Sequence, residues 1–201
     1  PEPAFWRAPI DNDFGNKMPV LAGVWRTAHV NRYVKKVTIG ENNEKGLSVR
    51  VDWVLSDIQV PYTMEYLVRD NGTVIVTGSI DLTGTKLPEL PRFGMRMELH
   101  QPYENYIDRY SGAFIGRYED KVENQFYWYI RPQETGNKTD VRWLTLLDSG
   151  GLGVKITGLQ PISFSALHFS PEDLDPGLTR KLQHTIDIVP QKNIFLHVDL
   201  K

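Results

Sequence analysis

Apolar residues recur at every second position through much of this chain, and that period predicts strands. In "LSVRVDWVL", Leu47, Val49, Val51, Trp53 and Leu55 share one face while Ser48, Arg50 and Asp52 take the other, the pattern of a half-buried antiparallel strand. "YTMEYLVRDNGTVIVTGSI" reads as two strands joined at Asp70-Asn71-Gly72, because Asn-Gly enters positive φ at little cost and closes a tight hairpin. "RFGMRMEL" alternates Phe93, Met95, Met97 and Leu99 against Arg96 and Glu98. "VRWLTLLDSGGLGVKITG" is a second hairpin around Asp148 to Gly151. "ISFSALHF" and "NIFLHVDL" are further strands, the latter aligning Ile194, Leu196, Val198 and Leu200. One short helix is expected where Val20, Leu21, Val24, Trp25 and Ala28 fall on a common face behind Pro19. "SPEDLDPGLTRK" reads as a loop with one helical turn, punctuated by Pro171, Pro176 and Gly177. Many short strands separated by turn signals imply an all-β antiparallel sandwich.

Composition narrows the classes. The chain has 201 residues with a formal charge of −2, which gives no basic footprint for nucleic acid or anionic membrane. No apolar run approaches the ~20 residues that span a bilayer. There is no cysteine, which removes disulfides and thiolate metal sites. The sequence starts at Pro1 without Met and reads as an excised piece. No internal repeat or linker divides residues 1–201, which read as a single sandwich domain.

Four stretches carry candidate chemistry. "FWRAPIDNDFGN" packs two aromatics, an arginine and an Asp-Asn-Asp triplet into twelve residues, too broken for a core strand and without helical period. Asp11 and Asp13 start like a calcium loop, but Gly15 and Ala22 stand where an EF-hand needs oxygen ligands, which favours a sharp turn folded by Asp and Asn side chains. In "ENYIDRYSGAFIGRY", Glu104, Asp108, Arg109, Arg117 and Glu119 offer acid–base pairs or a plain ion-paired loop. Phe126, Tyr127, Trp128 and Tyr129 run consecutively; in a strand they would serve both faces, for packing, for sugar stacking or for an interface. His29, His100, His168, His184 and His197 show no metal-binding spacing, and His168 reads as a satisfied, partly buried strand residue. "NGT" at Asn71 and "NKT" at Asn137 fit glycosylation sequons, a weak pattern.

Taken together, the motifs "FWRAPIDNDFGN", "LPRFGMRMEL", "YENYIDRYSGAFIGRY", "YIRPQETGNKTDVRWL" and "FSALHFSPEDLD" occur in an order that resembles the C-terminal region of bacterial β-galactosidases of glycoside hydrolase family two. The resemblance implies an antiparallel supersandwich similar to galactose mutarotases, part of a multi-domain enzyme that removes terminal β-D-galactose with retention. It implies that the catalytic glutamates lie in a barrel outside this chain, so no catalytic and no metal residue is assigned here. It implies no cofactor in this chain, with magnesium and sodium expected in the other domains. The partners implied are those domains, the galactoside in the full-length enzyme and a homo-oligomer, in a bacterial cytoplasm or periplasm. The residues carried over are a substrate loop: Asp11, Asn12 and Asp13 fixing its base, Gly15 as hinge, and Asn16 beginning the mobile part. Two departures stand out. The sequence stops before the family's tryptophan-bearing "GGD-x-SWG" segment, an expected truncation. "ELHQPYENY" lacks the family's extra strand and "GRGP" turn; a direct join would put Leu99 and Glu104 in adjacent strands with almost no connector, which points to residues omitted between Leu99 and Tyr103 in place of a deletion. The rival readings are a freestanding epimerase pairing His168 or His184 with Glu134, and a purely structural assembly module.

Overall fold

The computed structural model describes residues 1–100, 102–111, 115–179 and 183–200; for Tyr106 and residues 108–111 and 115–119 it describes the backbone alone. It is all-β, and the described residues form two antiparallel sheets and three short α-helices. The chain forms two compact units, one comprising residues 1–23 and 91–201 and the other residues 24–90.

The unit of residues 24–90 holds four strands in sequential order, β2 (Arg32–Ile39), β3 (Leu47–Leu55), β4 (Val60–Val68) and β5 (Val74–Ile80). The alternation predicted for β3 holds, with Leu55 fully buried and Ser48 and Arg50 exposed. The β4–β5 hairpin turns where expected: Gly72 takes φ +80° and the Thr73 N–H donates to Asn71 Oδ1 at 3.0 Å. Leu55, Val60, Tyr62 and Met64 are buried. Burial pushes the Tyr62 phenol up to about 12, so it stays protonated at any ordinary pH.

The larger unit is a seven-stranded sheet in the order β1-β6-β11-β10-β9-β7-β8. Its strands are β1 (Glu2–Ala4), β6 (Gly94–Leu99), β7 (Asn105–Ser111), β8 (Ile115–Lys121), β9 (Lys138–Leu147), β10 (Gly153–Leu167) and β11 (Ile194–Leu200). The two strands expected at "VKITG" and "ISFSALHF" are one, β10, whose pairing with β9 shifts register between Thr157 and Ile162. Gly158 and Pro161 lie in that shift, where a bulge tolerates a missing N–H, and they punctuate the sequence as a turn would. Leu99 and Glu104 do not meet in adjacent strands: β11, β10 and β9 lie between β6 and β7.

The sheet's two faces differ in chemistry. One is apolar: Leu144 and Leu146 of β9, Ile162, Phe164 and Ala166 of β10, and Ile194 and Leu196 of β11 form a buried cluster with Val122. The other is polar and also buried. Residues directly opposite one another in an antiparallel pair share a face. Ala4, Gly94, Asp199 and Ser163 therefore make one rank across four strands, and Glu2, Arg96, His197 and Ser165 make the next. Ser163, Ser165, His197 and Asp199 are each at most 9% exposed.

Three local readings change. The Asp-Asn-Asp stretch does contain helix, the five residues of α1 (Asp11–Gly15). The longer helix expected behind Pro19 is reduced to α2 (Met18–Leu21) and a 3₁₀ turn, Gly23–Trp25; Trp25 and Ala28 are buried but Val20 and Leu21 stay more than 60% exposed. Gly23, about 1 kcal/mol worse than alanine inside a helix, ends the α conformation before a second turn can form. The four aromatics are in no strand: Phe126 is buried, whereas Tyr127, Trp128 and Tyr129 are more than half exposed. The helical turn expected in "SPEDL" is present as α3 (Pro171–Leu174), with Ser170 accepting from the Asp173 N–H at its N-terminus.

Candidate functional site

The polar face opens into a cavity of about 510 Å³ within the larger unit. Its floor includes Asp199 and Ser163, which the strand register places side by side on β11 and β10. Its walls include Arg7, Arg92 and Glu134, and Tyr127 and Tyr129 lie at its mouth with ring centroids 6.4 Å apart, tilted by 54°.

The charged walls form a chain. Arg7 grips Asp13 with two parallel bonds, Nη1 to Oδ2 at 2.5 Å and Nη2 to Oδ1 at 2.8 Å. The Ile10 N–H donates to the same Oδ2 at 2.8 Å, which ties the start of α1 to its own third residue. Arg7 Nε lies 3.8 Å from Glu134 Oε2, and Arg92 Nη2 donates to Glu134 Oε1. Arg92 Nε then reaches Asp199 Oδ2 at 3.0 Å. Two guanidiniums thus hold three carboxylates in sequence, with forked geometry that a lysine could not reproduce.

Asp199 is the least satisfied member. Its side chain is 8% exposed, and Oδ1 has no hydrogen-bond partner among the described residues. That oxygen lies over Gly94: a Cβ there would stand 2.1 Å from Oδ1 and 2.4 Å from the Val198 carbonyl oxygen. Only glycine lets β6 run this close to β11 at that rank. Burial pushes the Asp199 carboxyl up to about 6, with the Glu134 charge adding to the rise and Arg92 opposing it.

The predicted loop residues divide cleanly. Asp13 is buried at 4% exposure with both oxygens engaged, while Asp11, Asn12, Gly15 and Asn16 are exposed. A Cβ on Gly15 would meet nothing within 4 Å, and Gly15 is not in the left-handed region; the positive φ of this stretch belongs to Lys17, at 64°. The conformation described therefore makes no local demand for glycine at position 15. The His168–Glu134 pair of the epimerase reading does not form. His168 Nε2 lies 3.0 Å from Glu104 Oε2 and its Nδ1 faces the Gln191 and Asn193 carbonyl oxygens, while Glu134 is held by the arginines. Asp108, Arg109, Arg117 and Glu119 fall in β7 and β8, and their side chains lie outside the described residues.

Comparison with known proteins places this geometry in a family. A profile described as "Beta galactosidase small chain" matches residues 1–201. The chain belongs to the β-galactosidase small-chain family. It is 35% identical to a β-galactosidase of Priestia megaterium over 86% of its own length and 18% of that protein's. Against a β-galactosidase of Streptococcus thermophilus it is 34% identical, over 87% of the chain and 18% of the relative. A protein named β-galactosidase small subunit, from Latilactobacillus sakei, is 29% identical over 87% of the chain and 67% of the relative. The small-chain sequence thus spans about a fifth of the length of the first two of these relatives.

Sequence reasoning picked out the small-chain loop but not the cavity beneath it. Arg92 stands in a family motif and Asp199 in a predicted strand, neither with a role, and Glu134 enters only the rival epimerase reading, as partner of His168 or His184. The available signal was chemical. The residues alternating with the apolar set in "ISFSALHF" and "NIFLHVDL" include Ser163, Ser165, His197 and Asp199 beside Leu167 and Phe195, with none of the Lys and Glu of a solvated face.

Proposed function

We propose that this chain is the C-terminal accessory module of a retaining β-galactosidase, forming part of the wall of the galactoside site and leaving the bond-breaking carboxylates to the rest of the enzyme. The family profile runs unbroken through residues 1–201, which supports treating both compact units as one inherited module of the supersandwich type. The observation that carries the reading is the Arg7–Asp13 clamp. It buries the last residue of the Asp-Asn-Asp triplet and leaves Asp11, Asn12, Gly15 and Asn16 outward, a polar edge on a rigid base. Such an edge can position a sugar hydroxyl; it cannot cleave a glycoside.

Retaining hydrolysis needs one carboxyl as acid/base and a second as nucleophile, about 5–5.5 Å apart. Asp13 is bound to Arg7, and Glu134 and Asp199 to Arg92, so none of these three carboxyls stands free as half of such a pair. The resemblance to glycoside hydrolase family two implies that the nucleophile, the acid/base and the magnesium and sodium sites lie in the remaining domains, to which this chain and further copies of the enzyme would be joined. The test is o-nitrophenyl β-D-galactopyranoside hydrolysis by this chain, by the remainder of its parent enzyme, and by both together. Activity that needs both supports the reading. Turnover by this chain alone overturns it. An assembly module without sugar contact would instead restore activity unchanged when Asp11 and Asn12 are replaced by alanine.

A further inference from the structure

We propose that Asn71, at the tip of the β4–β5 hairpin, is a site of spontaneous covalent modification, where the side-chain amide is lost as ammonia and the main chain is rerouted through an isoaspartate. Asn16, Asn43 and Asn71 share one geometry. Each is exposed, and each Oδ1 accepts the main-chain N–H two residues on, from Met18 at 3.0 Å, Lys45 at 2.9 Å and Thr73 at 3.0 Å. That contact polarises the amide carbonyl and holds the side chain over its own main chain. What differs is the next residue: Lys17, Glu44 and Gly72 respectively, and Asn71 is the one asparagine in the sequence that precedes glycine. At Asn16 and Asn43 a side chain flanks the nitrogen that would have to attack. At Asn71 there is none, and a Cβ built on Gly72 would meet nothing within 4 Å, so neither the residue nor its surroundings blocks approach to the Gly72 nitrogen.

The Gly72 nitrogen gives its proton to hydroxide and attacks Asn71 Cγ. The new N–Cγ bond closes a cyclic imide, and the amide nitrogen leaves, taking a proton from water, as ammonia. Water then adds to either imide carbonyl. Cleavage at Cγ leaves aspartate in an unaltered main chain; cleavage of the original peptide bond leaves isoaspartate, with the main chain carried through the side-chain carbon. No electron changes hands, and the co-reactant is water. The hairpin must loosen first, because the Gly72 N–H donates to the Arg69 carbonyl oxygen at 3.0 Å and the Arg69 N–H to that of Thr73 at 2.9 Å. Residues 69–73 are all exposed, and bonds at such a tip open at low cost. The product carries a new negative charge beside Asp70, in a chain of formal charge −2. Isoaspartate also adds a main-chain atom between Arg69 and Thr73, so the two closing bonds cannot re-form as they were. The site lies in the unit of residues 24–90 and rests on no part of the galactosidase reading.

The experiment is incubation of the unaltered chain in mildly alkaline, ammonia-free buffer, followed by peptide mass mapping, enzymatic methylation of isoaspartate and isoelectric focusing. The expected result is loss of the Asn71 amide with isoaspartate at that position, release of ammonia and a new acidic form of the intact chain, while Asn16 and Asn43 keep their amides in the same sample. Lowering the pH should slow the loss in step with hydroxide, and Asn71→Ser, a residue that turns also accept, should remove the acidic form. An Asn71 amide that persists while a synthetic peptide of residues 66–77 loses its own overturns the proposal, because the folded hairpin then protects the residue. Conversion of Asn16 or Asn43 as fast as Asn71 overturns it as well. Both decisive readings come from the unaltered chain and do not depend on a variant folding.

Discussion

Asp199 sits where a negative charge is least welcome, and its titration runs opposite to that of an ordinary salt-bridged carboxylate. Its folded value of about 6 lies above the ~3.9 of an unfolded aspartate. Between the two, the folded chain retains a proton that the unfolded chain has released. The contribution to stability is therefore fullest at low pH and is lost as pH rises through the folded value. Relative to Asp199→Asn, the wild-type chain should gain about 1 kcal/mol on going from about pH 7 to about pH 5, measured by urea unfolding of both proteins. A difference that does not change with pH would show that this carboxyl does not titrate in the window. Arg7 makes the complementary case. Arg7→Ala leaves Asp13 buried without its cation and should cost about 3 kcal/mol, whereas Arg7→Lys, keeping charge but not the fork, should recover only part of it. None of this was visible in "RAPIDND", where Arg7 and Asp13 are merely near in sequence; the clamp depends on how the chain folds between them.

At the level of elements, two glycines make opposite predictions. Gly94→Ala drives a methyl group into the β11 backbone and the Asp199 carboxylate, so β6 must separate from β11, and thermal unfolding should show a loss of about 3 kcal/mol or failure to fold. Gly15→Ala meets open space in a right-handed turn and should leave the chain as stable or about 0.5–1 kcal/mol more so. If in the full enzyme that same substitution shifts kcat or KM, the glycine is needed by a conformation other than the one described here; if both stay fixed, Gly15 is no hinge. Period-two alternation made β3, β4, β5, β6, β9 and β11 legible, because successive side chains of a strand point to opposite faces and their apolar residues recur at every second position. It misjudged β10, where Gly158 and Pro161 bend a strand without ending it, and it misread the aromatic run, where Pro132 and Gly136 keep the chain irregular. The polar face was illegible for a different reason: alternation says which residues lie opposite the core, not whether something covers them.

For the molecule as a whole, the long motifs carried what periodicity could not. Their order identified the family, while the cavity joins residues 7, 92, 134, 163 and 199, a set that only the folded sheet assembles. The charge chain through that cavity also predicts a screening test. Its members are largely buried, so raising salt should weaken the folded chain far less than removal of Arg92 does, and Arg92→Ala should be among the most damaging single changes, at about 3–5 kcal/mol. Guanidinium-free denaturation in urea, with and without added sodium chloride, would measure both.

The position of β11 has a consequence for how the chain comes into being. Among the described strands it is the last to be synthesised, yet it lies between β6 and β10, with Leu196 and Ile194 at the heart of the apolar cluster. The four-stranded unit pairs only neighbours in sequence and can close while the ribosome is still adding residues beyond it. The seven-stranded unit cannot: until residues 194–200 emerge, β6 and β10 have no strand to join them, and the edge of each that faces β11 waits unpaired. Vectorial folding of these residues is thus expected in two unequal instalments, residues 24–90 first and the seven-stranded sheet only once β11 has emerged.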